Sequence, residues 1–181
     1  MTQRPLFHLV LAALFTALIV TGSYIVIPFV PVPLVLANFF AMLAGLLLGP
    51  LYGGAAVLLY LVLGAIGLPV FAGAAGGFGQ FLTPTGGFLV GYLLSAVVAG
   101  LVAHGWSGRR KAPGPLRLAC AGLLAMITLY AIGLPWFHAV LPGKAPTLWA
   151  AALFMSPYMF GDLVKIALAV LLSRNLQPLL R

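Results

Sequence analysis

The sequence predicts an all-α integral membrane protein with six transmembrane helices. Three observations carry this. Of its 181 residues, 64% are hydrophobic and 6% charged, where a soluble domain has about a quarter of its residues charged. Mean hydropathy is +1.20, so the solvent around most of the chain is lipid. The apolar residues come in long runs and not in ten-residue segments of alternating polarity, which argues against a membrane β-barrel.

A spanning helix needs about 20 apolar residues. The first span is expected over 6–27, closing at Pro28, and with no small-residue cleavage site it reads as a retained helix. "FVPVP" then breaks the chain, because a residue before proline avoids the helical region. The second span, 34–48, is short and ends at "GP"; the third covers 51–67. A Gly-rich connection, "LPVFAGAAGGFGQFLTPTGG", runs from Leu68 to Gly87. The fourth span covers 88–103 and is followed by a basic aqueous connection, "HGWSGRRKAPGP". The fifth covers 116–134 and the sixth 157–172, with residues 143–155 before it expected as an interfacial turn. The whole chain, 1–181, forms one membrane domain.

The formal charge of +8 does not point to nucleic acid. Arg4, Arg109, Arg110, Lys111, Arg117, Arg174 and Arg181 lie at the chain ends and in one connection. Six spans place those segments on one side, and the positive-inside bias makes that side cytoplasmic, with both termini. Contact with anionic lipid accounts for the charge. The single Cys120 excludes a disulfide within the chain.

Two patterns repeat. "AIGLPVF" (65–71) returns as "AIGLPWF" (131–137), at the ends of the third and fifth spans. It reads as a shared way of ending a helix, glycine breaking it and proline fixing the exit, or as a trace of a duplicated hairpin. Small residues also recur at four-residue spacing: Ala13 and Ala17; Gly45, Gly49 and Gly53; Gly87 and Gly91. Such spacing brings helix backbones close in lipid. Ala13 and Ala17 are candidates to face another protein.

Asp162 is the only acidic side chain, and it lies in the apolar run "SPYMFGDLVKIALAVLL". An ionised aspartate at mid-bilayer costs about 2.5–3.5 kcal/mol on insertion scales. Lys165 is three residues on, hence on the same helix face. Intramembrane charges of this kind mark a ligand or ion site, so Asp162 and Lys165 are the leading candidates. Asn38 in the second span, Gln80, Thr83 and Thr85 in the Gly-rich connection, and Tyr92, Tyr130 and Tyr158 are further polar groups able to line a pocket. The connection itself is a candidate lid. His8, His104 and His138 lack ligand spacing, so no metal site is predicted. One acid excludes a paired-carboxylate enzyme. No G-x-S-x-G, H-E-x-x-H or P-loop occurs, so the chain is not expected to be an enzyme or to hydrolyse ATP itself.

From about Ala13 to Leu172 the sequence resembles the BioY family, the biotin-binding S-components of energy-coupling-factor (ECF) vitamin transporters. The resemblance rests on "GLPVFAG", "PTGG" and "GD-x-x-K" in that order. It implies a six-helix bundle in a bacterial-type plasma (inner) membrane, with an outward-facing vitamin site under the loop between helices three and four. It further implies, as partners, a transmembrane coupling protein meeting Ala13 and Ala17 and two cytoplasmic ATPase subunits. Biotin would be ligand, not cofactor. Asp162 would accept from its ureido N–H groups and Lys165 would help hold its oxygens, with Asn38, Gln80, Thr85 and Tyr92 completing the site. The chain departs from the family pattern V-P-[IV]-T-L-Q-T, reading "VPLVLAN", so Val35, Ala37 and Asn38 replace three polar residues. Two alternatives stay open: the same fold binding another vitamin-like acid, and a solitary secondary carrier titrating Asp162.

Overall fold

The structure, a computed structural model, describes residues 3–27, 34–105 and 113–177. The "FVPVP" break, Arg109, Arg110, Lys111 and Arg181 lie outside the described residues, as does the Arg4 side chain. Helix α1 is Gln3–Tyr24, followed by a two-stranded antiparallel ribbon, β1 Val26–Ile27 against β2 Leu34–Val35. Helix α2 is Ala37–Ala65, α3 Gly86–His104, α4 Pro115–Val140 and α5 Leu148–Leu176. Two short 3₁₀ turns, Ala72–Ala74 and Phe78–Leu82, shape the connection between α2 and α3. Among the described residues these five helices are long and apolar enough to cross a membrane.

Six were expected; the second and third expected spans are joined in α2. That element is not straight. Gly49 breaks it with φ 81° and ψ −178°, a left-handed conformation that glycine adopts without steric cost. A Cβ on Gly53 would lie 2.7 Å from Gly45 Cα, whereas eight residues of straight helix separate two positions by about 12 Å. The chain therefore folds back at Gly49, and the two halves of α2 lie against each other. Pro50 has no N–H, so Leu46 O loses its partner in the turn. His104 at the end of α3 supplies one, with Nε2 2.6 Å away.

Two other prolines do not mark helix boundaries as expected, Pro157 a start and Pro135 an end. Helix α5 begins at Leu148 and passes through Pro157, so residues 148–155 belong to it and are not a separate turn. Pro157 orphans the Leu153 carbonyl, and the Ser156 hydroxyl donates to it at 2.8 Å, the repair that lets proline persist within membrane helices. Helix α4 likewise continues through Pro135 to Val140. The two "AIGLP" copies thus differ in structure. The first ends α2, with Gly67 at φ 106°; in the second, Gly133 stays helical and takes the Phe88 ring against its bare Cα. A shared helix-ending role does not hold.

The small residues form the seams between helices. Gly45 meets the Ala96 backbone of α3, Gly100 meets Gly49 and Pro50, Gly91 meets Leu129 of α4, and Gly87 meets Trp136. Two apolar clusters result. One holds Tyr60, Phe88, Tyr92, Leu129, Phe137 and Met155 at the end nearer the α2–α3 connection. The other holds Phe15, Leu46, Ala99, Leu118, Ala125 and Ile166 at the opposite end. Ala13 and Ala17 remain exposed on α1.

A Cβ on Gly45 would overlap the Ala96 carbonyl. Gly45→Leu is expected to cost at least about 1–3 kcal/mol through overpacking, read as a lower unfolding temperature in detergent. Gly143→Ala, which meets no atom within 4 Å, is the control and should leave it unchanged.

Candidate functional site

Asp162 has 14 residues of α5 on either side of it, so it sits about 21 Å from each helix end. It is 6% exposed and Lys165 8%. Three elements converge on the pair. Lys165 Nζ donates to Asp162 Oδ1 at 2.9 Å, to Asn38 Oδ1 at 2.8 Å and to the Val35 carbonyl at 2.9 Å. Asn38 Nδ2 donates to the same Asp162 Oδ1 at 2.7 Å. From α4, the Tyr130 hydroxyl donates to Asp162 Oδ2 at 2.8 Å. An ammonium has three donors, and all three are engaged. A carboxylate offers about four acceptor positions; described residues fill three, and leave one open on Oδ2.

Above the pair lies a cavity of about 320 Å³, within the range of small-molecule sites. Asp162, Lys165, Asn38, Gln80, Thr85 and Tyr92, the six residues singled out as binding candidates, all line it, as do Thr83, Tyr130 and Tyr158. The walls are aromatic and apolar, with Tyr60, Phe71, Phe88, Leu89, Leu129 and Met155. Tyr92 Oη makes no hydrogen bond to another described residue, which leaves it available to a ligand.

The α2–α3 connection covers this cavity and is tied down at both ends. Near its start, Ser23 Oγ donates to the Val70 carbonyl at 2.5 Å and the Tyr24 hydroxyl donates to that of Pro69. Near its end, Trp136 Nε1 donates to the Thr83 carbonyl at 3.0 Å. Between them Gly77 N–H donates to Gly64 O at 2.7 Å. The Phe71 ring rests on the bare Cα of Gly64 and meets Tyr60 edge-on at 5.3 Å. Thr83 Oγ1 donates to the Gln80 carbonyl at 2.6 Å and lies 2.8 Å from Thr85 Oγ1. Gln80, Thr83 and Thr85 are half-buried, so this end of the cavity is the wetter one.

Asn38 lines the cavity and also joins the ion pair, giving one N–H to Asp162 and accepting from Lys165, which leaves a second N–H and a second lone pair on its amide. Tyr60 and Phe71 escaped notice because aromatic residues in apolar runs look like packing, and only the fold-back at Gly49 and the returning connection aim them inward. The histidines serve structure: His138 Nδ1 lies 2.6 Å from the Ala145 carbonyl and His8 stacks on Tyr52.

A bundle of apolar helices enclosing one small aromatic cavity, with a self-neutralised ion pair at its floor and a tied loop above, defines a membrane-embedded small-molecule carrier component. The chain belongs to the BioY family, whose model matches residues 1–181. It is 41% identical over 180 residues to the biotin transporter BioY of Rhodobacter capsulatus, covering 93% of this chain and 92% of that one. It is 38% identical to the biotin transporter BioY of Thermotoga maritima, covering 95% and 96%. A crystal structure of the S-component for biotin from an ECF-type ABC transporter superposes with a TM-score of 0.84 at 29% identity, covering 98% of this chain and 94% of that one.

Removing one partner of a buried pair leaves an uncompensated charge, at about 3–5 kcal/mol. Lys165→Met is expected to lose that much stability. The double variant Asp162→Asn with Lys165→Met should regain part of it, as measured by denaturant unfolding in detergent; strict additivity would show that the two side chains are not coupled.

Proposed function

We propose that the protein is the biotin-binding component of an energy-coupling-factor uptake system in a bacterial-type plasma membrane, the whole chain 1–181 forming one membrane domain. The observation that carries this is the open acceptor position on Asp162 Oδ2 at the floor of the aromatic cavity. It suits one N–H of a cyclic urea whose remaining surface is apolar. In this reading the Tyr92 hydroxyl donates to the ureido oxygen, and Gln80 and Thr85 meet the side-chain end; that all three line the cavity supports it. Lys165 and Asn38 act on Asp162, holding its carboxylate in one orientation. The relatives named above support biotin as ligand.

In this reading the two halves of α2 count as separate spans, which gives six and brings both termini to the cytoplasmic side. The reversal at Gly49 supports the count. Arg117 near the start of α4 and Arg174 near the end of α5 fall at the same end of their antiparallel helices, in keeping with the positive-inside bias. The chain has no P-loop, so ATP hydrolysis falls to two cytoplasmic ATPase subunits, linked through a transmembrane coupling protein. The exposed Ala13 and Ala17, one turn apart on α1, form a seam on which a partner helix can close.

Calorimetric titration of the detergent-purified protein with biotin, after removal of co-purified ligand, tests the reading directly. Saturation near one site per chain is expected, and its absence would refute biotin as the ligand. Asp162→Asn should weaken binding at least about tenfold, or about 1.4 kcal/mol; unchanged affinity in a folded variant would remove Asp162 from the contact. Ala13→Trp combined with Ala17→Trp should leave biotin binding intact and abolish co-purification with the coupling protein.

A further inference from the structure

Among the described residues the charges that line the cavity sum to zero, and no cation is left over. Lys165 is the one Lys, Arg or His among the described lining residues, and its three donors are engaged by Asp162, Asn38 and the Val35 carbonyl. Residues 28–33, outside the described set, contain no Lys, Arg or His. Arg117 donates to the Val102 carbonyl, 16 residues along α3 from Gly86, where the covering loop ends, or about 24 Å. Lys144 is exposed in the turn between α4 and α5 and does not line the cavity.

An acid drawn into this site therefore meets no counter-charge. A buried anion without a cation costs several kcal/mol, and a carboxylate at the floor would also face Asp162. At the other end, under the covering loop, the available groups are the neutral Gln80, Thr83 and Thr85, all half-buried. There a carboxylate keeps its water and gains only neutral hydrogen bonds, worth about 0.5–1.5 kcal/mol each. A carboxamide finds the same partners, because hydroxyls and a primary amide both donate and accept.

Building on biotin as the ligand, we infer that this site recognises the uncharged head of the molecule and is indifferent to the charge of its tail. Its substrate class is then broader than the free acid: neutral amides and esters of the same head group are ligands on a par with it. The recognition resides in the floor, where the open Asp162 Oδ2 position takes an N–H. The mouth selects for length and hydrogen bonding but not for an anion.

The test is competitive titration of the stripped, purified protein with biotin, biotinamide and biotin methyl ester, with Lys144→Gln run in parallel. Dissociation constants for biotin and biotinamide within about threefold of each other are expected, the ester confirming that a second neutral tail is accepted. Biotin affinity should not change in Lys144→Gln. Tight biotin binding with biotinamide and ester both weakened more than about 100-fold, which is about 2.7 kcal/mol, overturns the inference and leaves biotin as the ligand. A loss of biotin affinity, but not of biotinamide affinity, in Lys144→Gln also overturns it by naming a counter-charge. Failure of all three compounds to bind overturns both readings. Binding of the neutral compounds without biotin also overturns the inference, because the charge of the tail then decides binding, and removes the free acid as the cargo.

Discussion

One carboxylate in the middle of a long apolar helix sets the terms for the rest of this molecule. Asp162 is tolerable at that depth only while Lys165, Asn38 and Tyr130 all reach it, and these groups come from α5, α2 and α4. The requirement fixes how those three helices stand in rotation and in height. A quarter turn of α2 or α4 would take a hydrogen-bond partner from the buried pair, at a cost of about 1–3 kcal/mol. The polar layer also separates the two apolar clusters, so the cavity has a floor in place of a continuous core.

Close backbone approach makes this layer possible. Asn38 reaches α5 because α2 folds back on itself at Gly49, and that reversal closes only because Gly45 and Gly53 carry no side chain. His104 then satisfies the carbonyl that Pro50 leaves open. Without the glycine seams the helices would stand further apart, and side chains of Asn and Tyr length would fall short of Asp162.

Much of this was legible in the residues. A sole acid three positions from a lysine, within an apolar run, marks a site, because lipid tolerates such a pair only with partners. The polar residues scattered through the other spans are too few to have many roles, and those singled out converge on one cavity. What stayed hidden depends on tertiary repair. Pro157 looked like a helix start because the Ser156 hydroxyl that offsets its missing N–H is visible only in three dimensions. The second "AIGLP" looked like a helix end because nothing local distinguishes it from the first; packing of Phe88 on Gly133 does. The part Asn38 plays in the ion pair was hidden because its two partners, 124 and 127 residues away, lie on another helix.

The Lys165 ammonium leans on the main-chain oxygen of Val35 and not on that residue's side chain. Every amino acid carries that oxygen. The electrostatic skeleton of the site is thus insulated from mutation at position 35, whose side chain lines the cavity while its carbonyl steadies the floor. Over evolutionary time a position wired in this way can be repainted to suit a different ligand outline without re-engineering the charge pair. The valine of "VPLVLAN" can on this ground be exchanged without disturbing the pair of charges beneath it.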